Sequence, residues 1–428
     1  MRSFPCLLLI IVLTCVLSSH GLTSHISAED PTFEATDWPF WRGPQRNGHA
    51  DTSARPPQHW SATDNIRWRT PVPGLGHGSP TVLGDKVYLA TANDQTQAQL
   101  ILCFDGKSGD QLWSTVVHEG GFANNSKKGL NEKATMASST LATDGKRLFI
   151  TFVNNNAAWA TALDLSGAIL WQQRLCDYII HQGYGSSPTV YGDLVIVSAD
   201  NKLGGVVAGL DRRTGKIAWS HQRPQKPNYH SPVILQAAGR DQLIVGGCDL
   251  VTSLNPGNGE TLWEVEGATT ECVATAVTDG ERIFTCGGYP KNHISAVAAD
   301  GSGKLEWENN SRNYVPSMLV RGAYLYATLD AGIAICYRTS DGKEMWKARL
   351  GGTFSSSPVL VNDLIYATNE AGKTFLFRAT PKGFEQVGEN QLKGSVFATP
   401  AFVGDRIYTR IAEGQGDQRQ EYLVCIGQ

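Results

Sequence analysis

The chain has 428 residues, of which 18% are charged, and its formal net charge at pH 7 is −3. This balance lacks the basic footprint of a nucleic-acid-binding protein, and no run of 18 or more apolar residues indicates a clear membrane span. The 45 glycines and the low charge content are typical of short strands joined by tight turns.

The N-terminus predicts export. Arg2 precedes an apolar run from Leu7 to Leu13, and small residues follow. This order predicts a secretory signal peptide, which we assign to residues 1–28, with an uncleaved anchor as the alternative. We assign residues 29–59 to an N-terminal extension and expect the protein in the periplasm, on the cell surface or secreted.

A recurring tryptophan organises residues 60–428. Six copies stand four residues after a glycine, as in Gly215 and Trp219, and most successive copies are near 44 residues apart. Such a period is typical of stacked or radial repeats. Because tryptophan has a large apolar area, we expect it to pack between neighbouring units. The repeat tryptophans are Trp68, Trp113, Trp171, Trp219, Trp263, Trp307 and Trp346.

Each repeat predicts four strands. A Ser-Pro pair such as Ser79-Pro80 starts the first strand, where proline costs no ladder hydrogen bond. A Gly-Asp turn with an alternating apolar run, as at residues 84–91, predicts a hairpin. A small apolar third strand and an Asp-x-x-Thr-Gly turn lead to the fourth strand, which carries the tryptophan. Looser first-strand starts bring the count to eight: Ser138-Ser139, Ala274-Thr275 and Pro316-Ser317.

The strand order predicts how the repeats close. The chain begins with an isolated fourth strand around Trp68 and ends with a third strand at residues 422–426. The N-terminal strand can therefore complete the last repeat and remove exposed edges. We predict an all-β, eight-bladed β-propeller of four-stranded antiparallel blades, in which Gly383 and Val387 mark a degenerate copy. Seven blades are the alternative, if residues 114–190 contain an irregular blade.

The repeat resembles the pyrroloquinoline-quinone (PQQ) repeat family. The clearest copies are residues 103–113 and 207–219, each with a small apolar run, an aspartate turn ending in glycine, and the tryptophan. The segment at residues 38–44 is similar to one that precedes the propeller in many exported bacterial members. The family includes quinoprotein dehydrogenases, which bind PQQ and calcium on the axis. It also includes non-catalytic scaffolds similar to the outer-membrane assembly lipoprotein that binds partner proteins.

A funnel on the propeller axis is the expected place for a ligand. The loops that enter the first strands surround the axis at one end, and charged and aromatic side chains converge there. The long insertion at residues 124–133 is the least scaffold-like stretch, which favours a functional role. A wet funnel without a specific ligand is the alternative. The candidates are His77, Lys133, Tyr184, Tyr229, His230, Glu271, Arg312, Asn313, Tyr314, Phe354 and Phe397.

The motifs favour a binding protein over an enzyme. Nucleophile-elbow, zinc-protease, phosphate-loop and EF-hand patterns are absent. The adjacent cysteine pair that the dehydrogenases often carry is absent as well. We therefore expect a non-catalytic, monomeric scaffold that binds an envelope protein or polymer.

Two alternatives remain open. One is a small quinoprotein oxidoreductase with PQQ and calcium, in which the resemblance implies Glu271 as the base, with Arg312 or Lys133 near the quinone oxygens. Glu271 and Asn313 would then be candidate oxygen ligands for the cation. The other is a glycan-binding propeller, which is favoured by the aromatic residues near the axis.

The cysteines predict mainly buried thiols. Cys103, Cys336 and Cys425 lie in apolar third strands, where a free cysteine behaves as a small hydrophobic residue. Cys248, Cys272 and Cys286 follow strand ends of successive blades, so a disulfide between two of them is the alternative to structural thiols.

Overall fold

The protein is a ring of eight four-stranded antiparallel sheets, as predicted. The computed structural model describes Met1, residues 31–122 and residues 130–428. The predicted signal peptide, apart from Met1, and residues 123–129 of the insertion region lie outside the described residues. Within the described ranges, no helix has the length and apolar character needed to cross a membrane.

Seven blades are formed by consecutive strands, which follow one another from the axis outward. Blades 1 and 2 contain β2 (Thr81–Leu83), β3 (Lys86–Asn93), β4 (Ala98–Asp105) and β5 (Gln111–Glu119), then β6 (Ala142–Thr143), β7 (Arg147–Asn154), β8 (Ala157–Asp164) and β9 (Ile169–Asp177). Blades 3 and 4 contain β10 (Thr189–Tyr191), β11 (Leu194–Ser198), β12 (Val206–Asp211) and β13 (Ile217–Gln222), then β14 (Val233–Ala237), β15 (Arg240–Gly247), β16 (Leu250–Leu254) and β17 (Thr261–Glu266). Blades 5 and 6 contain β18 (Val277–Thr278), β19 (Arg282–Gly287), β20 (His293–Ala298) and β21 (Leu305–Asn309), then β22 (Leu319–Arg321), β23 (Tyr324–Leu329), β24 (Ile333–Arg338) and β25 (Glu344–Arg349). Blade 7 contains β26 (Val359–Val361), β27 (Leu364–Thr368), β28 (Lys373–Arg378) and β29 (Gln386–Gln391).

Blade 8 closes the ring with both ends of the propeller. Its strands are β30 (Ala401–Val403), β31 (Arg406–Glu413), β32 (Gln420–Ile426) and, outermost, β1 (Ile66–Val72). Strand β1 pairs antiparallel with β32, which places Trp68 opposite Cys425. A 3₁₀ turn at Gly416–Gln418 precedes β32. The predicted closure is confirmed, and the seven-blade alternative is wrong because β6 to β9 form a regular blade.

At five seams the tryptophan of one blade packs on the turn glycine of the following blade. The Trp171 Nε1–H donates to the Arg212 carbonyl of the following blade at 3.2 Å. Gly215 lies under the same indole with φ +76°, and a Cβ there would be 2.6 Å from the Trp171 ring. The position therefore needs glycine both for its backbone angle and for the close packing. Four other seams repeat this contact: Trp68 on Gly109, Trp113 on Gly167, Trp219 on Gly259 and Trp307 on Gly342.

A ring of hydroxyl groups around the axis explains the Ser-Pro pairs. In seven seams, the residue two positions before a first strand donates its backbone N–H to the equivalent hydroxyl of a neighbouring blade, at 2.9–3.0 Å. The ring corrects the predicted starts of the three looser repeats. The residues that correspond to the serine of Ser-Pro are Thr140, Thr275 and Ser317. The ring members are Ser79, Thr140, Ser187, Ser231, Thr275, Ser317, Ser357 and Thr399.

The residues before β1 cover one end of the axis. Trp38 pairs with Val82 of blade 1 in an isolated bridge, and His49 does the same with Leu360 of blade 7. The Arg55 N–H donates to the Gly404 carbonyl of blade 8 at 2.7 Å. We call this end, where the first and second strands of each blade are joined, the closed end. The opposite end, where the chain enters the first strands, is the open end.

Arg42 is the most deeply buried charge at the closed end. It is 1% exposed, and its guanidinium donates to the carbonyls of Asn47, at 3.0 Å, and Met318. Burial lowers the pKa of Arg42 to about 9. The neighbouring Trp41 Nε1–H donates to the Thr275 hydroxyl of blade 5 at 2.8 Å, so the extension reaches the hydroxyl ring.

The seven cysteines in the described residues are free thiols. Burial raises the pKa of Cys103, Cys336 and Cys425 to about 12, as expected for small buried side chains in third strands. Cys272 and Cys286 are likewise buried, and the disulfide alternative is not formed.

Candidate functional site

The open end holds a cavity of about 850 Å³, which we call the funnel. Its wall comes from the loops that enter the first strands and from the turns between second and third strands. Trp41 of the extension lines the cavity from the closed end and forms part of its floor. The volume lies in the upper part of the range of about 300–1,000 Å³ that is usual for small-molecule sites.

The structure brings most of the predicted residues into the funnel wall. Phe354 lines the cavity although only 1% of its surface is exposed. The Tyr184 side chain is held in the wall by its hydroxyl, which donates to the Ser198 carbonyl at 2.8 Å. Nine of the eleven candidates line the cavity: His77, Lys133, Tyr184, Tyr229, Glu271, Arg312, Tyr314, Phe354 and Phe397.

His230 does not belong to the funnel. It is 2% exposed, and its Nε2 accepts the backbone N–H of Ala276 at 3.1 Å. Burial, followed by the charge of Arg223, lowers the pKa of His230 to about 3, so the ring stays neutral. His230 thus fills the seam between blades 4 and 5, beside Thr275.

Asn313 is also misplaced by the prediction. Its side chain is fully buried, and its Nδ2 donates to the Cys286 Sγ at 3.1 Å. Glu271 lines the funnel, whereas Asn313 lies behind the wall, so the proposed pair of cation ligands is not formed. Both errors concern residues next to a true lining residue, Tyr229 and Tyr314 respectively.

Glu271 is the centre of a hydrogen-bonded group on one wall. It is 4% exposed, and its Oε2 accepts the Tyr314 hydroxyl at 3.0 Å. Its Oε1 lies 3.5 Å from the His181 Nδ1. Burial, and then the Glu271 charge, raise the pKa of Tyr229 and Tyr314 above the usual value. Both tyrosines are therefore neutral hydroxyl groups at physiological pH.

Tyr229 fixes the tautomer of His181. The Tyr229 hydroxyl donates to the His181 carbonyl, and its oxygen lies 3.1 Å from the His181 Nδ1. A carbonyl can only accept, so the hydroxyl proton points to it and Nδ1 must carry the other proton. The other ring nitrogen of His181, Nε2, has no partner among the described residues. The side chain is 30% exposed on the funnel wall.

Asp330 stiffens the same wall. Its carboxylate accepts the backbone N–H groups of Tyr314, at 2.6 Å, and Val315, at 3.3 Å. Burial raises the pKa of Asp330 in spite of these donors. Arg312 lies at the mouth, 5.8 Å from the Tyr314 ring centre, and forms no ion pair within the described part of the chain.

The opposite wall is formed by an ion pair and a stacked ring pair. The Lys133 Nζ lies 2.7 Å from Glu370 Oε1 of blade 7, which also accepts the Ser355 hydroxyl at 2.6 Å. His77 stacks on Phe397 at 4.5 Å between ring centres, and its Nδ1 lies 2.7 Å from the Lys133 carbonyl. Burial lowers the pKa of His77 to about 4, so it is neutral at pH 7.

Sequence reasoning missed several residues of the funnel, among them Trp41, His181, Asp330 and Glu370. Asp330 and Glu370 lie in turns between second and third strands, which also face the open end. The position of these two residues could have been inferred from the strand pattern, because turns between second and third strands lie at the same end as the loops that enter the first strands. Trp41 could not be placed, because it reaches the axis through contacts with distant blades.

The funnel does not suit PQQ and calcium. Its lining contains four carboxylates, on Glu132, Glu271, Asp330 and Glu370, but only two permanently charged cations, on Lys133 and Arg312. PQQ carries three carboxylates, so this balance is unfavourable. The oxygens of Glu271, Asp330 and Glu370 also face protein partners already. Among the described residues, no group of three or more His, Cys, Asp or Glu side chains is arranged to hold a metal.

The fold and the site together define a closed eight-bladed propeller with one open, polar funnel. Residues 59–130, 125–348 and 290–417 match a family model described as outer membrane protein assembly factor BamB. These matches cover most of the chain. The chain therefore belongs to this family of PQQ-repeat β-propellers.

A curated relative and two solved structures place the chain within this fold. The outer membrane protein assembly factor BamB of Burkholderia pseudomallei (strain K96243) is 26% identical over 289 residues, which cover 63% of this chain and 64% of the relative. The alignment thus spans slightly less than two thirds of that protein. BamB from Moraxella catarrhalis superposes with a TM-score of 0.58 at 14% identity, over 84% of this chain and 98% of that one. The quinohemoprotein alcohol dehydrogenase from Comamonas testosteroni gives a TM-score of 0.63 at 12% identity, over 92% of this chain and 81% of the other. These low identities show a common fold alone.

Proposed function

We propose that this protein is a non-catalytic propeller of the cell envelope that holds partner molecules at its open end. The observation that carries the proposal is the funnel itself, a large cavity in which protein partners already engage most of the charged groups. Glu271 is engaged by Tyr314 and His181, and Lys133 is engaged by Glu370. Such groups give a preformed binding surface and leave no obvious activated nucleophile.

The family supports a place outside the cytoplasm. A relative of this chain is named an outer membrane protein assembly factor, and on the basis of that name we propose a binding role in the envelope. The predicted signal peptide at residues 1–28 supplies the export route. The partner is then an envelope component that meets the open end, because the residues before β1 cover the other end.

A charge reversal at the funnel mouth tests the proposal. Arg312 is exposed and free of ion pairs in the described residues, so Arg312→Glu reverses a charge at the mouth without breaking an ion pair, and the contact that it loses is the one with the Tyr314 ring. Lys216→Glu makes a similar charge change on an exposed residue beside β13 and serves as the matched control. Each purified protein is immobilised and incubated with solubilised envelope from the source cells.

We expect one component to be retained by the unsubstituted protein and by Lys216→Glu, and to be reduced about tenfold by Arg312→Glu, a loss that corresponds to about 1.4 kcal/mol. Equal retention by all three proteins, or no retained component, would contradict binding at the open end. Thermal unfolding of the three proteins shows whether each is folded.

A cofactor titration tests the dehydrogenase alternative directly. PQQ is added with and without calcium while the melting temperature is followed, because a ligand that binds the native state must raise apparent stability. The charge balance of the lining predicts no calcium-dependent rise. A saturable rise would restore the quinoprotein alternative and require a search for alcohol or sugar oxidation.

A further inference from the structure

Protein groups already engage most of the charged side chains in the funnel, which restricts the ligand. Lys133 and Glu370 form an ion pair, and both Asp330 oxygens accept backbone N–H groups. The Glu271 side chain is 5% exposed, so a cation in the cavity would have little access to its oxygens. The two remaining charges, Glu132 and Arg312, are of opposite sign. Four carboxylates against two permanent cations disfavour an anionic ligand, and the buried carboxylates, which already accept from protein donors, are poorly placed to contact a cation, so a neutral ligand fits this wall best.

Two hydrogen-bonding groups on this wall remain unused and stand side by side. His181 presents its Nε2, and contacts with Tyr229 and Glu271 hold the ring in place. The next residue, Gln182, uses its Oε1 to accept from Asn131 at 3.1 Å, which leaves its Nε2 amide group as a donor. A ring nitrogen next to an amide donor suits hydroxyl groups, because each hydroxyl both donates and accepts.

Aromatic faces lie at three depths of the same cavity. Trp41 is on the floor, Phe397 is on the wall against His77, and Tyr289 is at the mouth with 56% of its surface exposed. The C–H face of a sugar ring is apolar and packs well on such surfaces. Their spread from floor to mouth suits a ligand with several rings in succession.

We propose that the funnel binds a neutral oligosaccharide, with His181 and Gln182 contacting its hydroxyl groups and the aromatic residues contacting its ring faces. This inference rests on the proposed binding function of the open end. It names the ligand class of that site by charge and hydrogen-bonding pattern. The Tyr229 hydroxyl acts through His181 and is a positioning group.

Calorimetric titration of the purified full chain tests the ligand class with probes matched for length. Cellohexaose, maltohexaose and N-acetylchitohexaose are the neutral probes. Chitosan hexaose has the backbone of the last probe but is cationic, and hexagalacturonate is anionic. We expect at least one neutral probe to bind at millimolar concentration or below, and the charged probes to bind more weakly.

Three substitutions assign the binding to this wall. His181→Ala removes the ring nitrogen that faces the cavity and is expected to weaken binding about tenfold, whereas Tyr229→Phe keeps the ring and is expected to weaken it about threefold. His221→Ala, on the outer strand β13, is the matched control and leaves affinity unchanged. Thermal unfolding confirms that the variants are folded, and Tyr229→Phe, which conserves the ring, keeps the test decisive if His181→Ala does not fold.

The outcomes separate this inference from the proposed function. No binding of any neutral probe, tighter binding of chitosan hexaose or hexagalacturonate, or affinities insensitive to His181 and Tyr229 would overturn the saccharide assignment. If Arg312→Glu nevertheless abolishes capture of an envelope protein, the proposed function stands and only the ligand class is wrong. If the capture experiment fails as well, both are wrong.

Discussion

The two ends of the propeller axis are built from the same repeat but have different surfaces. At the closed end, the residues before β1 insert Trp38, which is 2% exposed, and the buried Arg42 against the blades. At the open end, the loops and turns leave a cavity of about 850 Å³ lined by charged and aromatic groups. The repeat alone requires neither arrangement. The chain therefore uses residues outside the repeat to cover one end of the axis, while the other end stays accessible.

This contrast separates stability from binding. Packed aromatic residues at the closed end remove apolar area from water, and their loss must leave cavities. Exposed side chains at the mouth of the open end lie in water and contribute little to folding. Substitutions at the closed end should therefore change stability, and those at the open end should change binding.

The largest effect is expected for Trp38→Ala at the closed end. Trp38 packs against Gly43 and Phe402 and pairs through its backbone with Val82. Its truncation should lower the free energy of unfolding by about 3–5 kcal/mol in denaturant titrations. The matched open-end change, Tyr289→Ala, should cost less than about 0.5 kcal/mol. Similar losses at both residues would remove the contrast between the ends.

Lower pH should reduce the stability of the fold, because a buried histidine at each end is neutral in the folded protein. Burial lowers the pKa of His49 at the closed end and His77 at the open end from 6.5 to about 4. The unfolded chain binds protons below pH 6.5 while these folded sites stay neutral, so stability falls as pH drops from 6.5 to about 4.

Replacing either histidine with glutamine should reduce the loss in free energy of unfolding between pH 6.5 and about 4 by roughly 1–2 kcal/mol. His59→Gln, at a side chain that is 76% exposed, is the control. Urea unfolding across the pH range measures the slope. A slope unchanged by both His49→Gln and His77→Gln would show that these rings titrate alike in the folded and unfolded states.

A smaller loss of stability is expected for Thr275→Val, at the point where the N-terminal extension contacts the hydroxyl ring. Thr275→Val removes the acceptor of the Trp41 Nε1–H and leaves that donor without its partner. The loss should be about 1–2 kcal/mol in the free energy of unfolding. Thr52→Val, at an exposed threonine of the same extension, should be neutral. Equal stability of the two variants would mean that Thr275 does not anchor Trp41.

The smallest effect on stability is expected for Glu370→Gln at the open end. The Lys133 side chain is 41% exposed, and exposed ion pairs contribute about 0–1 kcal/mol. We expect a loss below about 1 kcal/mol in thermal unfolding, and the loss should shrink further at high salt. A loss above about 3 kcal/mol would instead make this pair part of the folding core.

The sequence predicts the scaffold because the repeat encodes it locally. Gly215 packs under Trp171 of the preceding blade, and the equivalent contact at four other seams explains why the same glycine and tryptophan recur. The isolated strand around Trp68 likewise predicts the closure of blade 8. Periodic positions can be compared with one another in a single chain, so each copy checks the others.

The funnel is less predictable because its residues are not repeated. Successive residues of an extended segment point to opposite sides, so Tyr229 faces the cavity while His230 enters a seam. Tyr314 and Asn313 differ in the same way. The position of Trp41 depends on a contact 234 residues away, with Thr275, which no local pattern contains.

Photo-cross-linking from both ends of the axis in the source cells tests the central claim most directly. Benzoylphenylalanine is placed at Tyr289, which is 56% exposed at the funnel mouth, or at Gln45, which is exposed in the segment that covers the closed end. We predict a discrete adduct with an envelope component from position 289 and none from position 45. An adduct from position 45 alone, or the same adduct from both positions, would contradict binding at the open end.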